Sequence, residues 1–246
     1  MTELLTRTER ELLPRRARSL EDVTNTIGDI STEISQLIDK NGFATVLEIG
    51  CGFGRVLMQL QSMFGDRLHL TGLNRSPEEG DLSTALRVSE WFGMPISSLS
   101  PLPDYKFADA SKRLPFGDST FDLVYSNMTL CHVARKSAFI EEVYRVLKLG
   151  ATAAIDSKFE LPQLPAEVRL TFEVIANDRS FSFWEYFSDN IELQMMRAKK
   201  GRFLKIVRTS DCLSLGLQLE KSVLLSELRS DWYGCKSIFR PKVDST

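Results

Sequence analysis

Histidine is scarce in this sequence: only His69 and His132 occur in 246 residues. The four cysteines, Cys51, Cys131, Cys212 and Cys235, include no Cys-x-x-Cys pair. At that spacing no zinc constellation can be assembled, so no metal is expected, and the thiols read as reduced in a reducing compartment. No uninterrupted apolar run approaches membrane-spanning length, so no membrane partner is expected. The first residues carry Glu3, Arg7, Glu9, Arg10 and Glu11 without the apolar core of a secretory signal, and a cytoplasmic location is expected. Charge of one sign is lacking too. Lys and Arg number 31 against 33 Asp and Glu, so no global field recruits nucleic acid. One local exception is the run Arg197, Lys199, Lys200, Arg202, Lys205 and Arg208. It reads as a solvated helix end and connector, or alternatively as a patch for an acidic or phosphorylated substrate.

What the chain does have is a glycine-rich corner. The apolar run Val46-Leu47-Glu48-Ile49 leads into Gly50-Cys51-Gly52-Phe53-Gly54-Arg55. Val56, Leu57, Leu60 and Met63 then recur at helical spacing. A strand, a glycine loop and a helix N-terminus make a nucleotide-binding corner, because glycine lets backbone approach a ligand closely. The dinucleotide pattern G-x-G-x-x-G fails at Arg55, and no Gly-Lys-Ser/Thr follows to make a phosphate loop. The spacing E-x-G-x-G-x-G instead resembles motif I of the class I S-adenosylmethionine (SAM)-dependent methyltransferases. On this segment alone, a glycine-rich turn without a ligand remains the alternative.

The rest of the sequence alternates strand and helix patterns. Strands are expected at 44–49, 68–73, 105–108, 121–126 and 151–155, with helices at 55–64, 82–92 and 136–147 between them. Such alternation predicts a parallel sheet covered by helices on both faces. Residues 1–18 are expected to be an arm or a short docking helix. Leu20, Val23, Ile27, Ile30, Ile34 and Leu37 predict one amphipathic helix from Ser19 to the Asn41-Gly42 stop. Two further strands, at 217–225 and 235–240, are expected to form a hairpin. The division is an N-terminal arm and helix (1–43), a nucleoside-binding core (44–156), an insertion (157–209) and a C-terminal helix and hairpin completing the sheet (210–246). The fold class is α/β: Rossmann-like, doubly wound, with a mostly parallel seven-stranded sheet whose last strand is antiparallel, plus an N-terminal helix and a helical cap insertion.

The methyltransferase resemblance extends in order through residues 44–156 and the final strand pair. It implies SAM as cofactor, S-adenosylhomocysteine (SAH) as product, and a site built from Glu48, Gly50, Cys51, Gly52 and Gly54. At the end of the second strand, in Gly72-Leu73-Asn74-Arg75-Ser76, the family usually has Asp or Glu accepting the ribose hydroxyls. Asn74 stands there, with Arg75 beside it. The resemblance places Asp109 and Ala110 at the adenine, where a carboxylate and a backbone N–H meet its amino group and ring nitrogen. Ser126 and Asn127 follow the fourth strand. On this reading Gly52→Val abolishes cofactor binding without unfolding, and Asn74→Asp tightens it modestly.

Methyl transfer needs positioning and, for some acceptors, removal of a proton. His132, after the fourth strand, is the candidate base; capping the next helix or packing under the methionine part of the cofactor are its alternatives. No Asn/Asp-Pro-Pro-Tyr/Phe/Trp sequence occurs, which makes planar amide or amino acceptors less expected. The insertion is aromatic-rich and includes helices expected at 167–176 and 185–199. Within it, Phe181, Trp184 and Tyr186 are the candidate acceptor residues, with cap packing or a homodimer contact as the alternative use. The expected activity is methyl transfer to an O, N or C nucleophile of a small, partly apolar molecule. Alternatives are a protein or RNA methyltransferase and a non-catalytic SAM-fold scaffold or regulatory partner. A dehydrogenase is disfavoured by Arg55 and Asp109.

Overall fold

The computed structural model describes residues 4–96, 99–133, 136–156, 191–199 and 201–208, with the short pairs 229–230 and 237–238. Three helices come first: α1 (Arg7–Arg16), α2 (Leu20–Ile27) and α3 (Ile30–Asn41). Each starts at a side-chain cap. Thr6 with Glu9, and Ser19 with Asp22, form reciprocal capping boxes, and the Asp29 carboxylate accepts from the Thr32 N–H. The single helix expected over 19–41 is therefore two. Gly28, at φ 90°, ends α2, and the Asp29 cap restarts the chain as α3. The apolar stripe continues across the break, which is why periodicity alone does not reveal it.

The alternating part follows: β1 (Ala44–Ile49), α4 (Arg55–Phe64), β2 (Leu68–Asn74), α5 (Leu82–Trp91), β3 (Asp104–Phe107), β4 (Phe121–Ser126), α6 (Lys136–Val146), β5 (Leu147–Asp156), β6 (Ile191–Ala198) and β7 (Gly201–Arg208). Helix α5 is capped by Asp81, whose carboxylate accepts from Thr84 N–H. The strands form one sheet in the order β3-β2-β1-β4-β5-β7-β6. The first five in that order pair in parallel; β7 runs antiparallel to both of its neighbours. Both faces are covered. Leu47, Ile49 and Val124 pack with Phe139, Ile140 and Val143 of α6. Val46 and Leu123 pack with Val23, Ile27, Ile34 and Ile38 of α2 and α3 and with Leu57 and Leu60 of α4.

The antiparallel strand comes from a different stretch than the pattern suggested. Residues 191–208 form a hairpin, from Ile191↔Arg208 to Ala198↔Gly201, where a helix was expected through residue 199. Ile191, Leu193 and Met195 alternate with Glu192 and Gln194, a period of two that suits a strand. Glu, Leu, Gln and Met are also strong helix formers, and that propensity hides the alternation. The segment assigned to a cap thus supplies two strands of the sheet. Its basic run is not one surface either. Arg208 is 2% exposed and donates to Ser119 Oγ (2.8 Å) and to the Leu147 carbonyl. The strand expected at 217–225 lies outside the described residues. Of 235–240, Ser237–Ile238 pairs with Arg229–Ser230, apart from the main sheet. No described helix is long and apolar enough to cross a membrane.

Candidate functional site

The carboxyl ends of β1, β2 and β4 converge on one cavity of about 690 Å³, within the usual range of small-molecule sites. The corner after β1 is built by contacts that the sequence pattern does not display. Gly50 N–H and Cys51 N–H donate to the Leu73 carbonyl of β2 (2.7 and 3.3 Å), which folds the loop back onto the sheet. Phe53 N–H donates to the Arg16 carbonyl at the end of α1 (2.7 Å). Gly52 has φ 53°, and a Cβ there would stand 2.6 Å from that same carbonyl. What Gly52 makes room for is the N-terminal helix. A side chain at 52 would therefore meet that carbonyl, at a position that also lines the cavity.

Asn74 also has a different task from the one expected. It is 2% exposed, its oxygen accepts from Gly52 N–H (2.9 Å), and its amide donates to the carbonyls of Gly52 (2.8 Å) and Gly80 (2.7 Å). It therefore latches the glycine loop to the turn after β2. The carboxylate that lines the cavity at this point belongs to Glu79, held by Arg75 N–H (3.2 Å) and Arg75 Nη2 (2.7 Å). An Asp at 74 could not make the latch, because a carboxylate has no donor for two carbonyls.

Glu48 lies under the loop, and Tyr125 O–H donates to it at 3.0 Å. Burial raises its pKa to about 7, against the lowering effect of that hydrogen bond. Burial, and then the neighbouring Glu48, also push the Cys51 thiol up, so it is no thiolate nucleophile. Asp109 accepts from Ser111 N–H (2.9 Å) and sits beside Ala110 at the end of β3.

After β4 the chain turns sharply. Met128 has φ 59°, costly for a non-glycine residue and a mark of a constrained site, and Thr129 closes over Gly50. Asn127 is 7% exposed. Its oxygen accepts from Thr26 Oγ1 of α2 (2.9 Å), and its amide nitrogen is buried without a hydrogen-bond partner. His132 ends the short 3-10 turn Leu130–His132 and is exposed at the cavity.

Of the residues expected at the site, Glu48, Gly50, Cys51, Gly52, Asn74, Arg75, Asp109, Ala110, Asn127 and His132 line this cavity. Gly54 and Ser126 do not. Gly54 is the N-cap of α4, and buried Ser126 donates to the Ile49 carbonyl, tying β4 to β1. Phe181, Trp184 and Tyr186 lie outside the described residues. The reading of the sequence missed the wall made by the N-terminal helices: Leu12, Arg15, Arg16, Arg18 and Val23. The run Arg15-Arg16-x-Arg18 was the available signal, but nothing local says that it faces the glycine loop. Among the described residues, no group of three or more His, Cys, Asp or Glu could hold a metal ion.

Comparison with known proteins bears on this geometry. Residues 47–155 match the family described as a methyltransferase domain. Cycloartenol-C-24-methyltransferase 1 of Oryza sativa subsp. japonica is 32% identical over 45% of this chain and 29% of its own. O-methyltransferase rstn1 of Aspergillus nomiae is 26% identical over 59% of each chain. The chain spans between 28% and 46% of the first curated relatives it matches. A solved SAM-dependent methyltransferase from Methanococcus maripaludis has the same fold: TM-score 0.51 and 15% identity, covering 86% of this chain and 97% of that one.

Proposed function

We propose that the chain, whose residues 47–155 match a methyltransferase domain on a Rossmann-like fold, is a class I SAM-dependent methyltransferase that methylates an O, N or C nucleophile of a small, partly apolar molecule. The observation that carries the reading is the cavity at the strand ends, with the glycine loop, Glu79 and Asp109 on its sheet side. These residues fit the cofactor. Glu79 offers a carboxylate to the ribose hydroxyls, a charge-assisted contact worth about 1.5–3 kcal/mol. Asp109 and the Ala110 N–H suit adenine. The Gly50–Gly52 backbone follows the methionine part, and Glu48, once ionised, complements its ammonium.

Bound SAM supplies a methyl group on positively charged sulfur, already activated toward a nucleophile. The task left to the chain is to orient the acceptor and keep water away. Leu12, Val23, Met128 and Val133 give the cavity its apolar lining and suit an apolar acceptor body. His132, exposed at the cavity, is the candidate to take a proton from an acceptor hydroxyl or ammonium. Glu79 supplies, at the same end of β2, the carboxylate that position 74 lacks, which supports a cofactor-binding site over a non-catalytic scaffold.

Calorimetric titration with SAM and SAH tests the reading. One site per chain with micromolar affinity is the expected result, and folded protein that binds neither would overturn it. Once an acceptor is known, His132→Ala is expected to lower kcat by about 10²-fold or more with SAH affinity unchanged. An unchanged kcat would remove His132 from the chemistry.

A further inference from the structure

One residue outside the sheet holds two separate parts of the cofactor site. The Arg16 carbonyl, at the end of α1, accepts from Phe53 N–H of the glycine loop (2.7 Å), and the Arg16 guanidinium lies 5.9 Å from the centre of the Phe53 ring. The same guanidinium donates through Nη1 to the Glu78 carbonyl (2.9 Å), 62 residues further along the chain. Backbone and side chain of Arg16 therefore grip different loops, the one after β1 and the one after β2.

The second grip falls on a particular peptide. The Glu78 carbonyl belongs to the peptide group that joins Glu78 to Glu79, and the N–H of that group donates to the Ser76 carbonyl (3.1 Å). A peptide group is planar, so holding both its oxygen and its N–H sets the direction in which the chain enters Glu79. Downstream, Gly80 N–H donates to the Pro77 carbonyl (3.0 Å), and the Gly80 carbonyl accepts from Asn74 Nδ2 (2.7 Å). The turn is a single 3-10 turn over Pro77–Glu79, and hydrogen bonding within such a short piece is poor. The bond from Arg16 has a charged donor, and charge-assisted bonds are about twice as strong as neutral ones. Arg75 orients the two oxygens of the Glu79 carboxylate, whereas Arg16 sets the backbone that carries it.

We propose that Arg16 is a positioning residue for the cofactor: it holds the Glu78–Glu79 peptide so that the Glu79 carboxylate meets the ribose hydroxyls, and it thereby couples docking of α1 to cofactor binding. The inference rests on the methyltransfer reading above and adds a regulatory role for the N-terminal helix at that site. Such coupling is reciprocal, so a bound cofactor fastens α1 by the same factor that docked α1 tightens the cofactor.

The test titrates the full 246-residue chain with SAH and with the analogue of SAH that lacks both ribose hydroxyls. The wild type is expected to prefer SAH by about tenfold or more. Arg16→Gln is expected to lower SAH affinity about fivefold and to shrink that preference, because the loss falls on the hydroxyl contacts. Arg16→Lys, which can still donate to the Glu78 carbonyl, should recover part of both, and it carries the test if the glutamine variant does not fold. In a Glu79→Gln background Arg16→Gln should weaken SAH binding by less than about twofold, since the two residues act as a unit. SAH should also slow limited proteolysis within α1 in the wild type and not in Glu79→Gln. Equal losses for the two ligands would overturn the inference, because Arg16 would then support the whole site without acting through Glu79. So would unchanged SAH affinity in Arg16→Gln, losses that add fully in the double variant, α1 cleavage that SAH leaves unchanged, or a wild type that binds the two ligands equally. In each of these cases the methyltransfer reading stands. Folded wild type that binds no SAH would overturn both.

Discussion

The two walls of the cavity are built by opposite means. The sheet wall is made of strand ends and turns held by backbone geometry, and it presents carboxylates: Glu48, Glu79 and Asp109. The N-terminal wall is the end of α1, the link to α2 and the first turn of α2, and it presents arginines. Its α1 side is tied down by the Arg16 carbonyl to Phe53 N–H, Arg16 to the Glu78 carbonyl, the Arg87–Glu9 ion pair and a small cluster of Leu5, Ala17, Phe53 and Val88, whereas α2 packs into the core through Val23. A wall fixed by the sheet suits a constant cofactor. One held by separable contacts suits an acceptor that must enter and leave.

Four measurements bear on this contrast. The largest expected effect is at Asn74, which binds the glycine loop to the turn before α5. Asn74→Asp leaves the Gly52 and Gly80 carbonyls facing a buried carboxylate and is expected to cost about 4 kcal/mol of unfolding free energy. Denaturant unfolding measures the stability loss, and SAH titration should show weaker binding. Tighter SAH binding would return Asn74 to the ribose.

Next is the pH dependence of the sheet wall. The folded-state pKa of Glu48, about 7, lies above its unfolded value of 4.5. Its contribution is therefore fully present below pH 4.5, declines as pH rises toward 7 and is flat above. The change is about 3 kcal/mol. Comparing the wild type with Glu48→Gln between pH 5 and 8 isolates it, because the variant should lack that slope. SAH binding should release a proton near pH 7 in the wild type only.

Gly52→Val comes third and bears on the junction between the walls. Its cost is about 2 kcal/mol of local strain, released by detaching α1. Limited proteolysis should cut before Ser19 while the sheet stays protected. Fast cleavage throughout the chain would mean that the walls are not separable. The smallest effect is Glu79→Gln, which should lower SAH affinity about tenfold, or about 1.4 kcal/mol, without a change in stability.

The sheet wall was largely legible in the sequence because its information is local. Alternation places β1, β2 and β4, and the residues at the strand ends follow from their position in chain order. The parts that escaped depend on long-range pairing. Asn74 meets Gly52 across 22 residues, and the tie uses both ends of its amide, which no spacing rule reveals. Arg16 meets Phe53 through a backbone carbonyl, a group every residue carries. The hairpin at 191–208 escaped for another reason: its side chains satisfy helix propensity and strand alternation at once, and pairing with β5 decides between them.

The hydrogen bond from Phe53 N–H to the Arg16 carbonyl crosses from one wall to the other. That makes the Phe53 amide proton a reporter. Its exchange with deuterated solvent follows the parting of α1 from the loop, whereas amides in β1 and β4 follow the opening of the core. A ligand touching only the strand ends would slow neither selectively. One that bridges the walls, directly or through the Glu78–Glu79 turn, would slow exchange at Phe53 first, so a single backbone proton could sort bound molecules by whether they fasten α1 before any product is measured.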